Sequence, residues 1–344
     1  MRFFSFSVIK QFHKNIKEKI TGQMRRLLLF LSIMIIAVML NTSNFSCSPN
    51  SNSPEHINEP GIIDVHAHIG EFRGFDLSLN SLLATMSESK IEYAFISNID
   101  GAALSGVTAD GDEVTVNEKT AKAASENPKL KPLFWAKPGA KGASAETAEK
   151  FLRDKRFYGI KFHPDFNNFP ANSDPVIPYL RLCEKYKVPA LFHCGGSSRS
   201  SAEVIYQAAK KFPNVPFVLY HMGFNTQHDE AINVAKEAKT KKDALIYLEI
   251  SHVAASDIVR AIKTVGADRV VFGTDATYYG RNHYDTYTDI IKNVKKAISP
   301  TEFQQFIHNN AVEIFHLSES TPNQPTGNQP NNEPKTTEDK TRKN

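Results

Sequence analysis

A single (β/α)8 TIM barrel is the fold class this sequence predicts, and three observations predict it. Short β-branched or aromatic runs alternate with helix-period segments from residue 61 to residue 317, the pattern of a parallel sheet with helical crossovers. Eight strand–helix units fit into that stretch, whose length matches the roughly 250 residues of such a barrel. The first strand ends in His-Ala-His, not in the Gly-rich phosphate turn that a doubly wound open sheet requires.

Taken in order, strands are predicted at Gly61–His66, Glu92–Ser97, Lys131–Trp135, Tyr158–Phe162, Pro189–His193, Phe217–Tyr220, Leu245–Ile250 and Val270–Gly273. Helical stretches fall between them at Ser78–Ser89, Ala145–Asp154, Val176–Lys187, Ala202–Lys211, Asp229–Lys239 and Ser256–Val265. Tyr284–Ala297 and Thr301–Phe315 close the domain. Trp135 and Cys183 read as core.

The two ends do not belong to this domain. Leu27–Leu40 is an apolar run broken only by Ser32, preceded by Arg25-Arg26 and followed by small polar residues, the anatomy of a secretory signal. At ~1.5 Å per residue the run is too short for a ~30 Å hydrocarbon core. Cys47 sits where a lipoprotein signal is cleaved and acylated, although Asn44 replaces the usual aliphatic residue. Residues 1–47 are therefore expected to export the chain and anchor it to the membrane of a bacterial envelope through a lipid on Cys47. A plain secreted or periplasmic protein is the alternative. Met24 opens a compact signal by itself. Residues 48–60 form a polar tether, and 318–344, rich in Pro, Asn, Gln and Thr, cannot bury enough apolar surface to order.

Composition narrows the functional classes. With 41% hydrophobic and 23% charged residues, the chain is an ordinary globular protein. The formal charge of +4 is concentrated in residues 1–26, which hold seven basic residues against Glu18. That distribution gives no case for a nucleic-acid partner. Three cysteines, Cys47, Cys183 and Cys194, make no disulfide framework.

The chemistry lies at the strand ends. Strand 1 carries Asp64-Val-His66-Ala-His68, strand 4 Gly-Ile-Lys161-Phe-His163-Pro, strand 5 Leu-Phe-His193-Cys-Gly, strand 6 Leu-Tyr-His221-Met-Gly and strand 8 Phe-Gly-Thr-Asp275. Residues i and i+2 of a strand share a face, so His66 and His68 point together toward the barrel axis. At roughly 30 residues per unit, three units separate His66 from Lys161, one separates Lys161 from His193, one His193 from His221, and two His221 from Asp275. All these side chains therefore emerge at one mouth. Histidines placed for packing would not keep that phase.

The set resembles the amidohydrolase superfamily, within it the amidohydrolase-related group that includes aminocarboxymuconate-semialdehyde decarboxylase. The resemblance covers nearly all of 61–317 and includes the late Asn-Asn310-Ala-Val-Glu-Ile-Phe. It implies His66, His68, His193 and Asp275 as ligands of a divalent metal, with His221 a second-metal ligand or a catalytic acid/base. Such ligands suit Zn²⁺ best, with Mn²⁺ or Fe²⁺ possible from the same set. Lys161 stands where two-metal members of the superfamily bear a bridging carbamate; one ion is favoured over two here. Asp275 is expected to take a proton from water and pass it to a leaving group.

Arg73, Arg281 and His163 are candidate substrate contacts, and Gly195-Gly-Ser-Ser-Arg199 precedes a helix whose N–H groups suit an anion. Glu249 and Ser251 are expected to support the metal shell, and His252 is left open. His13, His56, His228, His283, His308 and His316 read as surface or structural. Three functions fit: a metal-dependent hydrolase of an amide, lactone or ester-like bond in a small molecule; a metal-dependent non-oxidative decarboxylase on the same site; and a non-catalytic envelope lipoprotein that retains the barrel.

Overall fold

The computed structural model describes residues 61–154, 156–224 and 228–317. The expected export segment 1–47 with Cys47, the tether 48–60 and the tail 318–344 lie outside the described residues. Among the described residues no helix is long and apolar enough to cross a membrane.

The described strands are β1 (Ile62–Ile69), β2 (Ile91–Asn98), β3 (Leu130–Pro132), β4 (Phe134–Ala136), β5 (Ile160–Phe162), β6 (Ala190–His193), β7 (Pro216–Tyr220), β8 (Leu245–Glu249) and β9 (Val270–Val271). All paired neighbours are parallel. β3 and β4 are two halves of one barrel strand. Leu133 N–H still bonds Ile96 C=O at 2.8 Å, whereas Phe134 N–H turns to Gly159 C=O at 2.9 Å. The ring closes through Val65 N–H to Phe272 C=O at 3.1 Å and Asp275 N–H to His66 C=O at 2.8 Å. Eight strand positions result, one for each predicted.

Strand parity explains the layering. Leu191, Val218, Tyr247 and Val271 point inward and pack with Ile63, Val65, Phe95, Leu133 and Tyr220, plugged from one end by Ala311, Ile314 and Phe315. Their strand neighbours Phe192, Leu219 and Leu248 point outward into the helical layer. Two positions beyond Leu191 and Tyr247, the same inward face presents His193 and Glu249. Apolar floor and polar mouth thus follow from one alternation.

β1 departs from this rule. Its register against β2 shifts between Asp64 and Ala67, a bulge that lets adjacent residues share a face. Val65 packs in the inner cluster and Ala67 packs with Leu82 and Met86 of the helix Leu79–Glu88. His66 and His68 are turned to the mouth. Asp64 locks the bulge: it accepts from His66 N–H at 2.9 Å, Thr274 N–H at 3.1 Å and Tyr284 O–H at 2.8 Å. Burial pushes its carboxyl up to about 6 against those bonds. At the other end, Asn310 donates to Ala267 C=O at 2.7 Å and Val270 C=O at 2.6 Å, tying the last helix to the start of β9.

One helix has no counterpart among the stretches predicted above. Glu113–Glu126 buries Glu113, Val116, Asn117, Thr120 and Ala123, a face too polar to register as an apolar stripe. It docks by hydrogen bonds instead: Glu113 accepts from Lys137 N–H at 2.7 Å and Ser144 N–H at 3.0 Å, and Asn117 accepts from Trp135 N–H at 2.8 Å. The closing helix is broken as well, into Pro300–Gln304, a π-turn Gln305–Asn309 and Asn310–Ile314.

Candidate metal centre

His66 and His68 of β1 meet Asp275, which follows β9, at the floor of the mouth. The His66 and His68 Nε2 atoms are 3.1 Å apart, and each lies 3.2 Å from Asp275 Oδ1. Atoms sharing one ion with bonds of about 2.0–2.2 Å sit roughly 3.0–3.5 Å from one another. The spacing fits a common cation.

Hydrogen accounting makes the same point. His68 Nδ1 faces Ser97 C=O at 3.2 Å and the Ser97 hydroxyl at 3.1 Å; an Nδ1–H suits both, since the carbonyl only accepts and the hydroxyl can accept. His66 Nδ1 faces the Glu249 carboxylate at 3.2 Å, and the same reasoning leaves its Nε2 bare. In these tautomers two imidazole lone pairs and a carboxylate oxygen converge on one point. Such a trio is repulsive unless a cation lies at its centre, and these residues fit a divalent metal.

The ionisation states agree. Burial and the Lys161 ammonium hold His66 well below its ordinary value, as a neutral ligand. Burial pushes Asp275 up, but the imidazoles of His66, His252 and His68 outweigh it and keep the carboxyl well below the usual range. Burial drives Glu249 up to about 7, opposed by hydrogen bonds from His221 and Ser251. A Cβ at Gly273 would run into Glu249, so the close approach of β9 requires glycine there.

His221, His252 and Asp275 all adopt left-handed backbone, with φ of 65°, 61° and 59°. Each costs about 1–2 kcal/mol for a residue other than glycine. The strain is spent at strand ends that must turn side chains into the mouth. His221 N–H donates to Glu249 Oε2 at 2.9 Å and its Nδ1 lies 2.7 Å from Ser251 Oγ. His252 Nε2 lies 3.0 Å from Asp275 Oδ2, so the two carboxylate oxygens face different partners.

The remaining predicted residues divide. Lys161 is buried, with Nζ 3.4 Å from His66 Nε2 and 3.8 Å over the Tyr220 ring; burial brings its ammonium down to about 7. His193 lies across the pocket, stacked on His163 with ring centroids 3.9 Å apart, and its Nε2 faces Asp165 at 3.4 Å. It shares none of the three His/carboxylate groupings close enough for one ion among the described residues, which are His66–His68–Asp275, His66–His221–Glu249 and His221–His252–Asp275. Burial lowers the His163, His193 and His221 imidazoles. Arg73 lines the cavity. Arg281 does not reach it: its guanidinium lies 3.2 Å from Glu88 on the protein surface. His283 is buried and its Nε2 donates to Thr274 C=O, 3.2 Å away, which makes it structural.

The cavity holds about 610 Å³. Phe72, Phe75, Phe166, Phe224, Tyr278 and Tyr279 wall it, with Arg73 and Arg199 at its rim. Asp165 and these aromatic residues escaped the sequence reading. Asp165 directly follows His163-Pro, and Phe224 follows His221-Met-Gly, so proximity to the motifs was the available signal. Asp165 is held by the Ser197 hydroxyl and by Ser200 O–H at 2.8 Å.

A closed parallel barrel with two strand-1 histidines and a strand-8 aspartate around a cation position defines a metal-dependent enzyme class. The amidohydrolase family model matches residues 63–317, and the chain belongs to that family. No curated protein matches the chain by sequence. Among solved structures, it is similar to a dihydroxybenzoic acid decarboxylase from a Polaromonas species with bound manganese and the inhibitor 2-nitroresorcinol, at TM-score 0.57 and 15% identity, covering 75% of this chain and 97% of that one. It is similar to 4-oxalomesaconate hydratase from Rhodopseudomonas palustris at TM-score 0.54 and 16% identity, covering 74% and 95%. A putative amidohydrolase from Staphylococcus aureus aligns at TM-score 0.58 and 14% identity, covering 74% and 99%.

Proposed function

We propose that the protein is a metal-dependent hydrolase acting on an amide, lactone or ester-like bond of a small, largely planar molecule. The observation that carries this is the convergence of two bare imidazole nitrogens on an ionised carboxylate oxygen at 3.1–3.2 Å. His66, His68 and Asp275 would hold the ion. When bound, a divalent cation supplies Lewis acidity and positive charge at the floor of the pocket.

The chain's own residues do the rest. Asp275 is ionised beside the reacting position, so it is fitted to accept a proton and return it to the leaving group. His221 meets the substrate from beside Asp275 and His252, its ring fixed by Ser251. The aromatic walls orient a flat substrate and exclude water from the floor, and Arg73 and Arg199 hold an anionic substituent at the rim. Zn²⁺ suits this donor set; the manganese in the Polaromonas decarboxylase makes Mn²⁺ the other ion to test.

That decarboxylase also favours a second reading, non-oxidative loss of a carboxyl group from an aromatic acid. It asks for a proton donor to carbon, a task for which ionised Asp275 is less suited than for deprotonating water. Protein reconstituted separately with zinc and manganese should be offered aryl esters, lactones, anilides and hydroxybenzoates. Hydrolysis without release of CO2 is expected. Release of CO2 from the carboxylates would replace the hydrolase with the lyase, and less than about a tenth of an equivalent of bound ion would remove both.

A further inference from the structure

Behind the pocket, one hydroxyl joins two of its imidazoles to one buried carboxylate. Ser251 Oγ lies 2.7 Å from His221 Nδ1, 2.8 Å from Glu249 Oε2 and 3.3 Å from His66 Nδ1. Ser251, Glu249 and His66 are essentially buried, and His221 is nearly so. Ser251 has a single hydroxyl proton and cannot give it to both close partners.

The donors around Glu249 decide where that proton goes. Oε1 accepts Ser251 N–H at 2.6 Å, and Oε2 accepts His221 N–H at 2.9 Å. Both are backbone donors with no alternative role. His66 Nδ1–H adds a third. A carboxyl facing three N–H groups is an acceptor on both oxygens, so Ser251 O–H donates to Oε2. The Ser251 oxygen is then left as an acceptor toward His221, and the proton on that contact belongs to His221 Nδ1.

We propose that Ser251 is a positioning residue that fixes His221 as the Nδ1–H tautomer, presenting a bare Nε2 to the pocket beside Asp275 and His252. His221 then takes a hydrogen bond from the substrate, or a proton, and does not donate one. This rests on the reading of the cavity as the active site, and it restricts that reading: groups held at His221 must carry an N–H or O–H. Glu249 serves two imidazoles at once, His66 directly and His221 through one hydroxyl. Conserving that geometry needs the left-handed backbone at His221, which brings its N–H and its Nδ1 to the same pair of residues.

The test reads the tautomer by long-range ¹H–¹⁵N correlation in zinc-loaded full-length protein labelled at histidine, with His221 assigned by the signal lost in His221→Gln. The expected result is a protonated Nδ1 and an unprotonated Nε2 for His221. In Ser251→Ala the ring should shift to the Nε2–H form, while Ser251→Thr, which keeps the hydroxyl, should retain the original one. With an active substrate, Ser251→Ala should lower kcat about 10–100-fold, with Ser251→Thr recovering most of it. A protonated Nε2 in the unaltered protein would overturn the proposal. So would an unchanged tautomer in Ser251→Ala whose His66 and His68 signals show the fold intact. The spectrum is read without turnover, so failure to find a substrate would count against the proposed function alone.

Discussion

On the wall built from the ends of β1 and β9, both imidazoles are held at one nitrogen and aimed with the other. His66 and His68 hold protons toward Glu249 and Ser97 and aim bare nitrogens at Asp275. On the facing wall, built from β5 and β6, His163 and His193 lie face to face at 3.9 Å, and His193 points at Asp165 and not at the trio. Both walls carry histidines in the same strand-end phase. The difference teaches that reaching the mouth and sharing an ion are separate properties. The first is fixed by strand period. The second depends on what holds the other nitrogen of each ring.

The comparison breaks most readily at Asp275. Asp275→Asn keeps the shape but loses the charge, and turnover should fall by about 10³-fold or more while the far-ultraviolet circular dichroism stays unchanged. Retained activity would put the base on the other wall.

Metal affinity tests the division itself. Measured by competition with a chromophoric chelator, His68→Ala should weaken ion binding by about 100-fold or more, and His193→Ala by about tenfold or less. Equal losses would mean that His193 belongs with the trio, as the family resemblance implies, and that its pairing with Asp165 gives way to the ion.

Lys161, which reaches from β5 across to His66, gives the smallest effect and a sign. Burial lowers its folded value to about 7 from 10.5. Between those pH values the folded state holds fewer protons than the unfolded chain, so metal-free protein should gain stability as pH rises through that window. The cost is fully developed below pH 7 and vanishes above 10.5. Lys161→Met removes it, so the variant's Tm should exceed that of the unaltered protein by several degrees at pH 7, with the gap closing toward pH 10. A constant gap would show that packing, not charge, separates them.

Much of this was legible beforehand. All eight strands lie where alternating β-branched and aromatic runs put them, and the phase of His66, Lys161, His193, His221 and Asp275 brings each to the cavity. Arg281 shows the limit: a basic residue in a loop after a strand is equally placed to meet a surface acid, and Glu88 was nearer. The helix Glu113–Glu126 shows another, since a face docked through Glu113 and Asn117 has no apolar period to read. Asp165 and the aromatic walls carry no spacing rule, because loops obey none.

From the chain alone came the alternation along each strand and the count of units between motifs, both local properties that need no knowledge of what packs where. The tertiary structure decided the bulge that brings His66 and His68 onto the same inward face as Ile63 and Val65, the closure of β9 onto β1 that delivers Asp275 to them, and the left-handed turns at three strand ends. Those depend on residues up to about two hundred positions apart meeting at a few ångströms, and distances of that kind are set by the closed ring of hydrogen bonds, not by any one segment.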